Sequence, residues 1–148
     1  MLVSARIQRR AIGGGVGDTD HFTFQPESSK IFYQKYLTND QYWHRGAPIF
    51  VYTDNEGNIE WFAGNTSFML DIALKLQALL VFIEHRFYGE SMPFGNDSYK
   101  SAKTLGYLNS QEALADFEAL IRSLKQNLSS EASLVVVFGG SRPRQPWR

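Results

Sequence analysis

An α/β fold of parallel β-α-β units, entered through an N-terminal pair of edge strands, follows from three features of the sequence. Apolar runs of strand length recur as "APIFVYT" (47–53), "ALLVFIEHRF" (78–87) and "SLVVVF" (133–138), and such runs suit strands buried on both faces, as in parallel sheets. Between these runs lie two stretches whose apolar residues repeat at helical spacing. Strand and helix then alternate, and under right-handed crossovers that order builds a parallel sheet.

The bulk numbers fit one domain. The chain has 148 residues, 43% of them hydrophobic and 14% aromatic, enough apolar surface for a core. Fifteen basic residues cancel fifteen acidic ones, so no field draws the chain to nucleic acid or to an anionic membrane. No apolar run approaches the length of a membrane span. The absence of cysteine removes disulfides and thiolate metal sites. His21, His44 and His85 lack the short spacings of zinc motifs, so neither a metal nor another cofactor is expected.

Taken in order, residues 1–18 read as a flexible leader with Gly13, Gly14, Gly15 and Gly17 crowded together. No strand precedes these glycines and no Gly-Lys-Ser/Thr follows them, which excludes a phosphate loop. No apolar stretch of signal-peptide length follows the basic residues, so no signal peptide is visible. "DHFTF" (20–24) and "KIFYQKYL" (30–37), split by a Pro-Glu-Ser-Ser turn, predict the edge strand pair. The 47–53 run is a buried strand, and "DNEGN" after it is a turn.

A helix is predicted from about Ser67, where Phe68, Met69, Ile72, Ala73 and Leu76 share a face. The strand centred on Val81, Phe82 and Ile83 comes next, then a loop from Gly89 to Ser101. Asn109 is placed to cap the second helix, with Glu112 at its third position and Leu108 and Ala113 as a staple. Leu114, Phe117, Ile121, Leu124 and Leu128 form its apolar stripe.

The last strand runs into Gly139-Gly140-Ser141. A nucleophile elbow needs small residues around its serine, because the chain must turn sharply between a strand and a helix to expose the hydroxyl. The full pattern is G-x-S-x-G. Here Pro143 occupies the place of the closing glycine, so only half the pattern is present.

Wider segments carry a resemblance that the half-motif does not. "EHRFYGESMPFG" (84–95), "LGYLNSQEALADFEALIRSLK" (105–125) and "VVVFGGS" closely resemble the lysosomal Pro-X carboxypeptidase family of serine exopeptidases. "DHFTF" and "YTDNEGNIEWFAGNTSFMLDIA" fit it too, with wording most like plant members. The resemblance implies the N-terminal part of an α/β-hydrolase sheet over residues 19–141. It implies cleavage next to proline near a peptide terminus, in a lysosomal, vacuolar or secreted setting. Ser141 falls on the family's nucleophile. The oxyanion hole would use the backbone N–H of Arg142 and the turn at Asp54, Asn55 and Glu56, where the family usually has a glycine at the Asp54 position.

The family continues its GGS with Tyr-Gly-Gly and a long remainder holding the triad Asp and His. Residues 142–148, "RPRQPWR", depart from that pattern as a basic tail. The expectation is therefore a truncated, inactive member. Each of the three histidines is expected to be structural, and Val135, Val136 and Val137 are expected to form an open strand edge with poor solubility. The alternative is a binding protein that pairs with peptides or a full-length relative through that edge. Sequons at Asn65, Asn96 and Asn127 exceed chance expectation and mark glycosylation candidates.

Overall fold

The computed structural model describes residues 4–11, 31–53 and 57–139. Its five strands are β1 (Ser4–Ala11), β2 (Ile31–Asn39), β3 (Ile49–Tyr52), β4 (Leu79–Ile83) and β5 (Val135–Phe138). They form one sheet in the order β1-β2-β4-β3-β5. β3 pairs in parallel with β4 on one side and β5 on the other, while β2 runs antiparallel to β4 and β1 antiparallel to β2. The expected α/β architecture, with an antiparallel pair at one edge, is therefore present.

The helices are α1 (Ile59–Asn65), α2 (Ser67–Leu76), α3 (Ala102–Leu105) and α4 (Ser110–Asn127), with a short 3₁₀ turn at Gly95–Asp97. Strand alternation decides which helix meets which face. Ile49, Val51, Leu79, Val81 and Ile83 point to α4 and pack on Ala113, Phe117, Leu120 and Leu124. Leu37, Phe50, Leu80 and Phe82 point the other way, onto Ile59 and Ala63 of α1 and Met69 and Ala73 of α2. Burying each large apolar side chain contributes about 1.5–3 kcal/mol before the cost of ordering the chain.

Local chemistry sets the helix ends. The Asn109 side chain accepts from the Glu112 N–H at 2.9 Å, as its place before the apolar stripe predicts. Asn58 caps α1 in the same way, accepting from the Trp61 N–H at 3.0 Å. α2 stops at Gln77, whose φ of 54° lies in the left-handed region, and the chain enters β4 two residues later.

Three readings need correction. The outer partner of β2 is Ser4–Ala11, inside the stretch read as a leader, while the partner expected at 20–24 lies outside the described residues. An edge strand needs backbone pairing on one side only and accommodates charge, so Arg6, Arg9 and Arg10 do not argue against it. Leu114 is 64% exposed, and Leu120, fully buried, takes the place in the stripe that was assigned to it. The 78–87 strand is shorter than expected because the chain leaves the sheet after Ile83.

Candidate active site

In a parallel sheet, chemistry collects where the carboxyl ends of the strands meet the loops. Here that edge is formed by Tyr52, Ile83 and Phe138, since Tyr52 is in register with both Phe82 and Phe138. The Thr53 N–H donates to the Phe138 carbonyl at 3.2 Å, tying the exit of β3 to the end of β5. Ser141, Arg142, Asp54, Asn55 and Glu56 all lie outside the described residues. The described chain reaches this edge at Thr53, Gly57 and Gly139.

The histidines separate cleanly. His44 lies in the β2–β3 connection, where its Nε2 meets Gln77 Oε1 at 2.8 Å, at the opposite end of the sheet. His85 stands just past β4, on the edge in question. Its Nδ1 is 2.6 Å from the Arg86 carbonyl, so Nδ1 carries the proton, and its ring meets Tyr88 and Phe117 edge to face. β4 is two strands from β5, a separation of about 10 Å, well beyond hydrogen-bond reach between the strands themselves. His21 lies outside the described residues.

The loop that follows β4 is built around two buried ionic groups. Arg86 is 1% exposed. Its guanidinium gives Asp116 of α4 two bonds, at 2.7 and 2.8 Å, and Glu112 a third at 3.1 Å. It also donates to the Tyr107 carbonyl at 3.3 Å and lies over the Phe32 ring. Such a fork satisfies several acceptors at once, which is what allows a charge to sit in a core. Glu112 therefore faces Arg86, and this is why two acids interrupt the buried side of α4.

Glu84 faces the other way. Its Oε2 accepts from the Glu90 N–H at 3.0 Å, the Ser91 N–H at 2.9 Å and the Ser91 hydroxyl at 2.7 Å. Burial outweighs these donors and pushes the carboxyl above the usual glutamate range. Gly89 makes the wrap possible: its φ is +53°, and a Cβ there would meet Glu84 Oε1 at 1.9 Å. Phe87, fully buried, also takes a positive φ of 69°, and its carbonyl accepts from the Tyr99 hydroxyl. Above this loop, Lys35 of β2 joins Glu60 of α1 and Glu90, the latter at 2.6 Å. Donation to these carboxylates holds Lys35 well above the usual lysine range, and accepting from Lys35 holds Glu60 below the carboxylate range.

Sequence reasoning treated the Glu84–Gly95 segment as a signature without finding these roles. The available signal was the placing of Glu84 and Arg86 directly after an all-apolar strand.

On the α4 face the surroundings are apolar. A groove of about 510 Å³ runs between α4 and β5, lined by Leu114, Phe117, Ile121, Val135 and Val137. Among the described residues β5 pairs with β3 alone.

Comparison with known proteins accounts for this arrangement. A solved cold-adapted esterase from an Arctic intertidal metagenomic library shares the fold at a TM-score of 0.50 and 10% identity, over 93% of this chain and 50% of its own. The sheet accordingly has an α/β-hydrolase fold, consistent with the N-terminal part of one. The human lysosomal Pro-X carboxypeptidase is 50% identical over 124 residues, covering 82% of this chain and 25% of its own length. The mouse protein of the same name is 49% identical over the same span, and the Caenorhabditis elegans prolyl carboxy peptidase like protein 5 is 49% identical over 109 residues. The chain thus spans about a quarter of the length of the curated relatives it matches. The model of the serine carboxypeptidase S28 family matches residues 18–144, nearly the whole chain, and the protein belongs to that family.

Proposed function

We propose that this chain is the nucleophile-bearing N-terminal part of a serine-type exopeptidase that cleaves peptides next to proline, near a chain terminus. The observation that carries the reading is the junction of Thr53 with Phe138. It holds Thr53, the last described residue before position 54, beside Phe138 at the end of β5, two residues before position 140. In this reading Ser141 is the nucleophile. The Arg142 N–H and the turn at Asp54, Asn55 and Glu56 supply the oxyanion donors, arranged as in other hydrolases that place a serine after a strand.

A serine hydroxyl needs a neighbouring base to attack. Among the described residues His44 sits at the far end of the sheet, and His85, just past β4 and two strands from β5, is held by the neighbouring Arg86 carbonyl, which supports the reading that the 148 residues alone are inactive. The substrate class, a lysosomal, vacuolar or secreted location, and glycosylation at Asn65, Asn96 and Asn127 belong to the same proposal. All three asparagines are exposed, which supports the last point.

The test is a chimera in which residues 18–141 replace the matching segment of the human relative. Release of the residue after proline from a model peptide, abolished by Ser141→Ala, is the expected result. A folded chimera without that release sinks the reading. Labelling of the 148-residue chain by a fluorophosphonate, lost in Ser141→Ala, would sink the claim of inactivity.

A second reading is favoured by the side of β5 on which no described strand pairs. β4 to α4 to β5 crosses the sheet in one direction, and a right-handed crossover continuing that way would lay its helix on the α4 face. The groove occupies that face. The chain in this reading binds a full-length relative or another strand-bearing partner there. Co-elution with the full-length human relative supports it, and separate elution at micromolar concentration counts against it.

A further inference from the structure

We propose that Lys35 is a positioning residue whose ammonium fixes the first turn of α1 and, through it, the segment 54–56 at the carboxyl edge of the sheet. This deepens the reading of Ser141 as nucleophile and of 54–56 as the oxyanion turn, and it rests on that reading.

Lys35 stands on the α1 face of β2, two residues before Leu37, which packs there on Ile59 and Ala63. Its side chain is 10% exposed, so a cation occupies a place where the pattern leads to an apolar residue. The ammonium joins Glu60 in the first turn of α1 and Glu90 in the loop after β4, the latter at 2.6 Å. The backbone of Lys35 is itself anchored. Its N–H donates to the Ser91 hydroxyl at 2.9 Å, and its carbonyl accepts from the Glu84 N–H at 3.0 Å. One side chain thus ties β2, α1 and the loop together from a fixed base.

The two ends of segment 54–56 are held separately. Before it, the Thr53 N–H donates to the Phe138 carbonyl at 3.2 Å. After it, Gly57 lies against the Phe62 ring, where a Cβ would come within 3.3 Å of Cε2, and Asn58 caps α1. Only residues 54–56 separate Thr53 from Gly57, so the chain between them spans at most about 14 Å. A displacement of α1 therefore passes into that segment with little slack to absorb it.

The apolar contacts of Ile59 and Ala63 hold α1 down, but they are not directional. An ion pair with hydrogen bonds fixes rotation and register as well. Pairs of this kind add little net stability, so the geometry that Lys35 imposes is its distinguishing contribution.

Hydrogen exchange in the 148-residue chain tests the tether. The Trp61 and Phe62 amides donate to Asn58, and the Val81 amide in mid-sheet is the reference. Lys35→Met and Glu60→Gln should each lower protection at Trp61 and Phe62 about threefold to fivefold relative to Val81, and Lys35→Arg should retain it. An unchanged ratio, or an equal loss at all three amides, overturns the proposal. Glu60 is half exposed, so Glu60→Gln decides the matter if Lys35→Met does not fold.

In the chimera carrying residues 18–141, Glu60→Gln should lower kcat about tenfold while KM moves by less than about twofold. An unchanged kcat, or a loss confined to KM, ends the positioning role. A folded chimera that is inactive before any substitution counts against the reading of Ser141, and the exchange ratio then still decides whether Lys35 holds α1.

Discussion

Where β4 ends, Glu84 and Arg86 are each 1% exposed; the loop donates to the Glu84 carboxyl, and α4 supplies carboxylates to the Arg86 guanidinium. A few residues away on the same helix, Leu114 is 64% exposed, and Val137 on β5 is 58% exposed. α4 serves both regions: Glu112 and Asp116 look toward the ionic corner, while Leu114, Phe117 and Ile121 line the open groove. The corner is closed by groups that must be present in full, because a buried charge without its partner is costly. The groove tolerates change at Leu114 and Val137, because these side chains already meet solvent.

Substitutions should separate the two regions by the size of their effects. Arg86→Met leaves Asp116 and Glu112 buried without their cation and should cost about 3–5 kcal/mol, roughly a third or more of the stability of an ordinary domain, read from urea unfolding. Gly89→Ala forces a Cβ into Glu84 and into a positive φ, with an expected loss of about 2–3 kcal/mol in the denaturation midpoint. Asn109→Ala removes the cap of the helix shared by both regions, and should cost about 1 kcal/mol by the same measurement.

At the groove, Leu114→Gln should move stability by no more than about 0.5 kcal/mol. If the groove and the side of β5 that no described strand pairs promote self-association, its effect should appear instead in sedimentation, as reduced association. A large stability loss from Leu114→Gln, or a small one from Arg86→Met, would break the contrast.

The same contrast explains what could be read from the sequence. β3, β4, β5, α2 and α4 were legible because each carries its own period of apolar residues, and the Asn109 cap because its bond spans only three positions. The families of contact that decide the corner are not local. Arg86 reaches Asp116 across 30 positions and the Lys35 N–H reaches Ser91 across 56, separations at which no spacing rule operates. α1 and α3, at seven and four residues, are too short to show a period. β1 was hidden because an edge strand needs little apolar character. Leu114 misled because one step along a helix turns a residue by about 100°. At the candidate site, Ser141 stood out through its glycines and the family resemblance, whereas the described geometry comes from Thr53 and Phe138, whose side chains announce nothing.

The order of strands in the sheet also sets a timetable for synthesis. β3 lies between β4 and β5, so one of its backbone edges stays open until the β5 residues emerge, from Ile49 to its register partner Val135. At about 5–20 residues per second, that delay of 135 − 49 = 86 residues lasts roughly 4–17 s on the ribosome. Throughout that interval Ile49, Phe50 and Val51, all buried in the finished sheet, offer a sticky strand to any neighbouring nascent chain. Fast elongation and early chaperone capture should therefore raise the yield of folded protein.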